Sequence, residues 1–378
     1  MTAARLYAIS FGSPDPRRLA SFWSGVLDRP IGPGGMTLPP TGDGEIRIRF
    51  RETDEPKTGP NRAHFDLTSR SLDDQREIVA RALALGARHI DVGQRPEEGH
   101  VVLADPDDNE FCVVEPGNNF LAGCGAVGAL SCDGSRATGL FWSETLGWPL
   151  VWDEGEETAI QSPRGGTKIS WGGPAARPKT GRNRVILELI ARGEVGGTKT
   201  QERRAYVEKT DPDGNEFRVL RSVHDAAGGR DGLMRLAAAW HERVLADEVV
   251  SHAFSHGYHP RHTERLAAYW AEALGGPPAY TESYGDETSV VRMHSGNGPH
   301  DDMNRRAIDC FDGALADAGL TEEPLRQVLH DYFAWSTLES MNRYHRSADD
   351  VPPGLPVPRW SWEGREPQVR PPENRQPD

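Results

Sequence analysis

The sequence predicts a multidomain protein in which an α+β region is followed by an all-α region. An internal repeat spans the first 222 residues, and beyond Ser222 the strand-like patterns stop while helical periodicity continues. The length of 378 residues is two to three times that of a typical domain of about 100–200 residues. We therefore expect several separate hydrophobic cores.

The repeat consists of short motifs that recur in the same order. Phe-Trp-Ser at 22–24 recurs at 141–143, and Asp-Pro-Asp-Asp-Asn-Glu-Phe at 105–111 recurs as Asp-Pro-Asp-Gly-Asn-Glu-Phe at 211–217. We place the first copy at 1–118 and the second at 119–224.

Within the first copy, apolar residues follow helical spacing over 19–27 and alternate with arginines over 46–50, as in a half-buried strand. A second helical pattern ends at Gly86, and the Asp-Pro turn joins two strands as a hairpin. This order predicts a βαβββ unit twice per copy. In the second copy the segment 188–206 is short and rich in glycine, so we expect its helix to be reduced or lost.

From about Leu6 to Ser222, these motifs resemble tandem glyoxalase-like modules of the vicinal oxygen chelate superfamily. The resemblance implies a curved mixed sheet that encloses a cup, often occupied by a divalent metal or a small organic ligand. Fold alone does not imply one reaction.

His64 and Glu110 match two places where that superfamily holds a divalent metal. Ala8 and Ile186 stand at places where further ligands would be expected, and the second copy keeps only Glu216. Glu110 also belongs to a turn motif that forms local hydrogen bonds, so a structural role is the alternative. A cup that binds an apolar molecule without an ion is the preferred prediction, with four tryptophans as its expected lining: Trp23, Trp142, Trp148 and Trp171.

After a joint at 226–229, helical periodicity predicts an all-helical domain over 229–346. The remaining segment, 347–378, is rich in proline and is expected to be an extended tail, anchored in part by Trp360 and Trp362.

The string from His262 to Trp270, the Gly-Gly-Pro at 275–277 and the Arg-x-His ending at His294 resemble the truncated haemoglobins of the second group. The resemblance implies that His294 is the proximal ligand of haem iron. A neutral imidazole on one side of the haem with an open site on the other binds dioxygen or similar diatomic molecules.

The same resemblance assigns a distal pocket. His241 replaces a tyrosine common in the family, Phe254 is the aromatic residue that wedges against haem, and His262 takes the distal position. Leu266 and Trp270 continue that helix face. Ala307 stands where the family usually has a tryptophan donor. The alternatives are a closed site with two histidine ligands and a helical module that has lost haem.

Composition excludes several classes of partner. A net charge of -14 and a pI near 5.4 repel nucleic acid, and mean hydropathy of -0.61 without an apolar run of about 20 residues argues against a membrane span. The N-terminal residues show no basic, apolar leader, so we expect a cytoplasmic protein. Four cysteines without a C-x-x-C pair predict reduced thiols.

The two resemblances together imply a haem-binding truncated globin that handles dioxygen, nitric oxide or a peroxide, fused to a region that binds a small organic molecule. Two alternatives stay open: a haem-free protein that binds or sequesters a small molecule, and a metal-dependent vicinal oxygen chelate enzyme. Whether the haem chemistry includes turnover, as in an oxidoreductase or dioxygenase, is left open.

Overall fold

The computed structural model describes residues 3–95, 97–172, 179, 181–255 and 257–366. The chain forms two compact units that divide between Leu220 and Arg221. The first unit contains the strands of both repeats, and the second is mainly helical. Within the described ranges, no helix combines the length and the apolar character that crossing a bilayer requires.

The first repeat begins with a strand, a helix and two further strands, and continues with a strand, a second helix and three strands. Its elements are β1 (Ala4–Ser13), α1 (Pro16–Leu27), β2 (Thr37–Leu38), β3 (Ile48–Glu52), β4 (Ala63–Leu67), α2 (Leu72–Ala84), β5 (Arg88–His89), β6 (Val101–Ala104) and β7 (Glu110–Val113).

Local sequence explains why α1 begins where it does. The Asp15 carboxylate accepts a hydrogen bond from Arg18 N at 3.1 Å, and Pro16 occupies the first turn, where no backbone donor is needed. Leu19, Trp23 and their neighbours at helical spacing are buried against the sheets. The predicted helix is therefore confirmed by its buried apolar face, and its cap is an additional finding of the structure.

The second repeat differs from the first in two respects: three strands follow its first helix, and its second half lacks a helix. Its elements are β8 (Val127–Asp133), α3 (Arg136–Leu146), β9 (Leu150–Glu154), β10 (Glu157–Gln161), β11 (Lys168–Gly172), β12 (Val185–Ala191), β13 (Thr198–Glu202), β14 (Tyr206–Thr210) and β15 (Glu216–Leu220). No helix forms between β12 and β13, a stretch described in full. The predicted loss of the second helix is confirmed.

Each of the two large sheets takes strands from both repeats. Sheet A has the order β13-β14-β15-β12-β1-β3-β2, and sheet B has the order β5-β6-β7-β4-β8-β11-β10-β9. In sheet A, β1 runs antiparallel to β12 with Ile9 opposite Leu187; in sheet B, β4 runs antiparallel to β8 with Phe65 opposite Leu130. The repeats thus exchange halves, and neither closes a sheet by itself.

The second unit is a bundle of helices. Its helices are α4 (Val223–Ala226), α5 (Gly229–Ala246), α6 (His262–Ala273), α7 (Ala279–Ser283), α8 (Glu287–Met293), α9 (Asp301–Asp317) and α10 (Leu325–Trp335). Short turns of 3-10 or π type lie at Val250–Phe254, Ser336–Met341 and Ala348–Asp350.

The segment predicted as a tail is partly folded. It forms a small hairpin of β16 (Trp360–Ser361) and β17 (Gly364–Arg365). Trp360 and Trp362 are buried, and Trp362 Nε1 donates to Arg221 O at 2.5 Å. The predicted anchoring by both tryptophans is present, whereas residues 367–378 lie outside the described part of the chain.

Candidate functional site

His294 follows directly on α8. The helix begins where the Asp286 carboxylate accepts a hydrogen bond from Ser289 N at 2.7 Å. His294 Nδ1 lies 2.8 Å from Val290 O. Because a carbonyl only accepts, Nδ1 carries the proton and Nε2 is left to bind a metal. His294 is exposed at the surface, yet the protein atoms packed around its ring lower the pKa of the imidazole, and the neutral form is the one that binds metal.

Two histidines face each other on α5 and α6. The ring centroids of His241 and His262 are 4.9 Å apart, and Phe254 packs against them at 5.4 and 5.6 Å. His241 Nδ1 lies 3.2 Å from Thr263 Oγ1. Among the described residues, His241 Nε2 and His262 Nδ1 are buried without a hydrogen-bond partner. Buried polar atoms are rarely left unpaired, so both nitrogens are available to a bound molecule.

The electrostatics link these histidines to His294. Burial, together with repulsion from the neighbouring His241 and His294, lowers the pKa of His262 to about 4. Burial also lowers the pKa of His241. At neutral pH the pocket therefore presents neutral imidazoles, each of which offers one donor and one acceptor nitrogen.

The remaining residues assigned to the pocket take different positions. Leu266 is half-buried on α6. Trp270 is 3% exposed and packs edge-on against Trp240, Phe311 and Phe333 in the aromatic core of the bundle. Ala307 is buried on α9, and its carbonyl accepts a hydrogen bond from Trp240 Nε1 at 3.3 Å.

A second polar cluster lies on sheet B. One ligand atom each from His64, Asp66 and Cys112 falls within 4.8 Å of the others. His64 and Asp66 are two residues apart on β4, so they share a face of the sheet. Cys112 lies opposite Asp66 on the neighbouring parallel strand β7. His64 Nε2 lies 3.4 Å from Asp66 Oδ1, and Ser131 Oγ donates to Asp66 Oδ2 at 2.5 Å.

Charge interactions dominate this cluster. Burial alone would lower the pKa of His64, but hydrogen bonds to Asp66 and Cys112 outweigh it and raise the pKa to about 10. Burial would raise the pKa of Asp66, and its bond to His64 lowers it instead. Burial raises the pKa of the Cys112 thiol. The cluster is thus an imidazolium and a carboxylate beside a protonated thiol.

Glu110 is held by a different set of groups. Lys57 Nζ lies 2.5 Å from its carboxylate, and Asn61 N donates to the other oxygen at 3.2 Å. The second repeat has the same arrangement, in which Glu216 pairs with Lys179 and accepts from Asn183 N at 3.1 Å. The glutamate carboxylate therefore fixes the loop before β4 in the first repeat and before β12 in the second. Glu110 does not belong to the cluster around His64, whose other members are Asp66 and Cys112.

The corresponding positions of sheet A carry ion pairs. Glu188 pairs with Arg218 across β12 and β15, as Asp66 does with Cys112 in sheet B. The Glu188 carboxylate forms a salt bridge with Arg49, and Arg218 lies 3.9 Å away. Glu188 is 1% exposed. The two sheets thus share a fold but present different chemistry.

Comparison with known proteins assigns both units. A family model described as a glyoxalase-like domain matches residues 8–114 and 128–220, slightly more than half of the chain. A bacterial-like globin model matches residues 222–335. A group 1 truncated haemoglobin of Mycolicibacterium paratuberculosis is 30% identical over 112 residues, which are 29% of this chain and 76% of that protein. The chain belongs to the glyoxalase-like domain family, fused to a truncated haemoglobin.

The comparison with solved structures also finds matches to both parts of the chain. Glyoxalase I from Zea mays shows 10% identity and a TM-score of 0.43, over 58% of this chain and 92% of that one. The group II truncated haemoglobin of Bacillus anthracis shows 19% identity and a TM-score of 0.28, over 34% of this chain and 91% of that one. The predicted membership of both families is confirmed by the family models.

The predicted aromatic lining of a ligand cup in the glyoxalase-like region is wrong. Trp23, Trp142 and Trp171 are at most 2% exposed and lie in the hydrophobic core, while Trp148 packs against it. Trp142 and Trp171 stack with centroids 6.2 Å apart. Because their rings fill the space between helices and sheets, these residues stabilise the fold.

Sequence reasoning missed three residues of the candidate sites. Tyr258 stands four residues before His262, and its ring centroid lies 4.6 Å from that of His241. Asp66 could have been found from strand alternation, which places it beside His64. Cys112 could not, because its place beside Asp66 depends on how β4 and β7 align.

Proposed function

We propose that the globin unit binds haem through His294 and handles a diatomic gas or a peroxide, and that the glyoxalase-like region binds a small organic molecule. The observation that carries the first part is the set of three histidines. His294 has its Nδ1 fixed by Val290 O. His241 and His262 face each other, and among the described residues each has a buried nitrogen without a hydrogen-bond partner.

The residues present fit haem. His294 offers a neutral imidazole with Nε2 available, and the exposed Met293 and half-buried Leu266 and Phe254 supply apolar surface that a porphyrin would cover. The haem iron supplies the coordination position at which dioxygen, nitric oxide or a peroxide binds. His241 and His262 would donate to or accept from that ligand.

An absorption spectrum of the full-length protein reconstituted with hemin tests this proposal. We expect a stoichiometric Soret band that shifts when carbon monoxide is added to the reduced protein. His294→Ala should lose the band while far-ultraviolet circular dichroism stays unchanged. His330→Ala is the matched control, because the ring of His330 on α10 contacts the Asp312 carboxylate of α9. A normal Soret band in His294→Ala would refute the assignment of the proximal ligand.

The same spectra distinguish open from closed coordination. If the reduced wild-type protein shows the spectrum of haem with two histidine ligands and His262→Leu shows that of haem with an open site, His262 is the second ligand. Absence of any haem band in the wild-type protein would favour the haem-free alternative, in which the glyoxalase-like region binds the small molecule and the helical unit is an interaction module.

A second candidate function is metal binding on sheet B, favoured by the three ligand atoms that lie within 4.8 Å of one another. An imidazole, a carboxylate and a thiolate form a donor set that suits zinc and leaves a fourth position open. Binding would release protons from His64 and Cys112. The hydrogen bond that Ser131 Oγ donates to Asp66 Oδ2 would hold that carboxylate in place.

Isothermal titration of the metal-free protein with zinc tests the second candidate. We expect one site per chain that weakens at least tenfold in Cys112→Ser, with no change in Cys310→Ser, a half-buried cysteine of the other unit. Elemental analysis that finds no stoichiometric divalent metal other than iron, together with no heat on titration, would end the metal-dependent enzyme hypothesis.

A further inference from the structure

The helix before His294 is too short to be stable by itself. α8 spans seven residues, Glu287–Met293, whereas an isolated helix needs about 12–15 residues to be even marginally stable in water. Contacts with the rest of the helical unit must therefore hold it in place. Because His294 Nδ1 lies 2.8 Å from Val290 O, whatever holds the last turn of α8 also orients the His294 imidazole.

A segment near the C-terminus supplies such contacts, and we call residues 344–355 the strap. Thr288 of α8 is 7% exposed, so its hydroxyl needs partners within the protein. Thr288 Oγ1 donates to Pro352 O at 3.2 Å and accepts from Leu355 N at 3.0 Å. One side chain thus binds α8 to two points of the strap.

A second contact lies one turn further along α8. Arg292 follows Thr288 by four residues, so the two side chains share a face of the helix. Arg292 Nη2 donates to Val351 O at 3.3 Å. Contacts on successive turns of one face restrain the rotation of α8 about its own axis.

The turn that follows His294 is bound to the same strap. Gly296 N donates to Tyr344 O at 3.1 Å, and Gly298 N donates to His345 O at 2.9 Å. A Cβ on Gly296 would lie 3.3 Å from a backbone nitrogen of the strap, which shows how closely the turn and the strap pack. Along the chain, the strap contacts therefore stand on both sides of His294.

The residues that follow the strap are fastened to the rest of the bundle. Arg359 Nη1 donates to Glu272 O at 2.7 Å and to Gly276 O at 3.2 Å, around the C-terminal end of α6. Trp360 is 8% exposed, and its ring centroid lies 5.5 Å from that of Trp335 on α10. The strap is thus fixed at both ends and can restrain the helix that it contacts. The match to the globin family model ends at residue 335, so the strap lies outside the matched region.

We propose that the strap is a positioning element: by holding α8 and the turn after it, residues 344–355 set the direction of the His294 imidazole. Thr288 and Gly296 are the positioning residues on the side of the globin. The inference rests on the proposed function in taking His294 as the haem ligand, but the hold of the strap on α8 is a property of the haem-free chain.

Hydrogen–deuterium exchange of the haem-free, full-length protein tests this hold. Thr288→Val keeps the β-branched shape and removes both hydrogen bonds, so the amides of residues 287–298 should exchange roughly tenfold faster. Thr321→Val is the control, because Thr321 is exposed between α9 and α10. Exchange in Thr288→Val as slow as in the wild-type protein would overturn the proposal.

Two glycines separate the strap contact from backbone strain. Gly296 and Gly298 both have a φ of +77°, so alanine strains the turn similarly at either position. Among the described residues, a Cβ on Gly298 meets no atom within 4 Å, whereas one on Gly296 would press on Ala348 N of the strap. Gly296→Ala should therefore speed exchange in α8 more than Gly298→Ala does. Equal exchange in the two variants would refute a positioning role for Gly296.

Two spectroscopic signatures distinguish positioning from simple stabilisation. In the haem-free protein, nitrogen NMR should find the His294 proton on Nδ1 in the wild type and shifted toward Nε2 in Thr288→Val. In the reduced, haem-loaded protein, resonance Raman should show a shifted iron–histidine stretching band in the same variant.

Faster exchange with both signatures unchanged would show that the strap only stabilises α8, which contradicts the proposal. If hemin gives no Soret band, the proposed function fails, whereas exchange and the tautomer still decide whether the strap positions His294.

Discussion

His241 Nδ1 lies 3.2 Å from Thr263 Oγ1, the hydroxyl of the residue that follows His262. This contact ties α5 to the first turn of α6 and orients the His241 ring toward that of His262, 4.9 Å away between centroids. Both rings are held before any ligand arrives. A ligand that meets positioned polar groups loses less free energy to their ordering.

Loss of either distal histidine should speed release of dioxygen from the haem-loaded protein. A hydrogen bond to a bound ligand contributes about 1–2 kcal/mol, so His241→Phe and His262→Leu are each expected to raise the dissociation rate roughly five- to thirtyfold. Stopped-flow displacement by carbon monoxide measures this rate, and His330→Ala serves as control. Unchanged rates in both variants would show that neither imidazole contacts the ligand.

His262 should stay neutral in the haem-free protein at pH values where an ordinary histidine is charged. Its pKa of about 4 lies below the ordinary value near 6.5, because burial and the neighbouring histidines disfavour the charged ring. The folded state therefore keeps its full stability above pH 6.5 and loses this contribution as pH falls toward 4. A titration of histidine ring carbons by NMR checks the value, with His262→Leu used to assign the signal. A midpoint above 6 would contradict it.

Glu287 should give the helical unit the opposite pH dependence. Its carboxyl is 3% exposed and accepts from Tyr269 Oη at 2.8 Å. Burial, with added repulsion from Glu272 and Asp286, raises its pKa to about 7. A raised carboxyl pKa gives a stabilisation that is complete below about pH 4.5 and is lost as pH rises through 7.

The difference in unfolding free energy between pH 5 and pH 8 should shrink by about 2 kcal/mol in Glu287→Gln. Urea unfolding followed by circular dichroism at 222 nm measures the unfolding free energy at both pH values. Glu282→Gln is the control, because Glu282 is exposed on α7. A wild-type pH dependence in Glu287→Gln would show that another group titrates.

Breaking the Arg49–Glu188 ion pair of sheet A should lower the free energy of unfolding far more than replacing both residues with apolar ones. Glu188→Ala removes the carboxylate that forms the buried salt bridge with Arg49 and is expected to lower the free energy of unfolding by about 3–5 kcal/mol. The double variant Arg49→Met with Glu188→Met should recover most of that loss, because both buried charges are gone. Urea unfolding followed by tryptophan fluorescence compares them. A double variant as unstable as the single one would mean that Glu188 acts through Arg218 instead.

Features that depend on neighbouring residues could be predicted from the sequence, whereas pairings between strands far apart in the chain could not. The helix around Trp23 and the Asp-Pro hairpins depend on neighbouring residues, and both form where they were expected. The role of Trp23 was misjudged because a sequence does not say which way an aromatic side chain points; its Nε1 donates to Asp105 Oδ2 at 3.1 Å inside the core. The partnership of Asp66 with Cys112 depends on strand register, which no local motif encodes.

The exchange of strands between the repeats sets an order for folding during synthesis. Ile9 of β1 must wait for Leu187 of β12, its partner in sheet A. At about 5–20 residues per second, that wait is roughly 10 to 40 s, during which β1 has an unpaired edge outside the ribosome. Sheet B can assemble earlier, because Phe65 of β4 needs only Leu130 of β8. A nascent chain stopped near residue 180 would therefore be the species that most needs a chaperone.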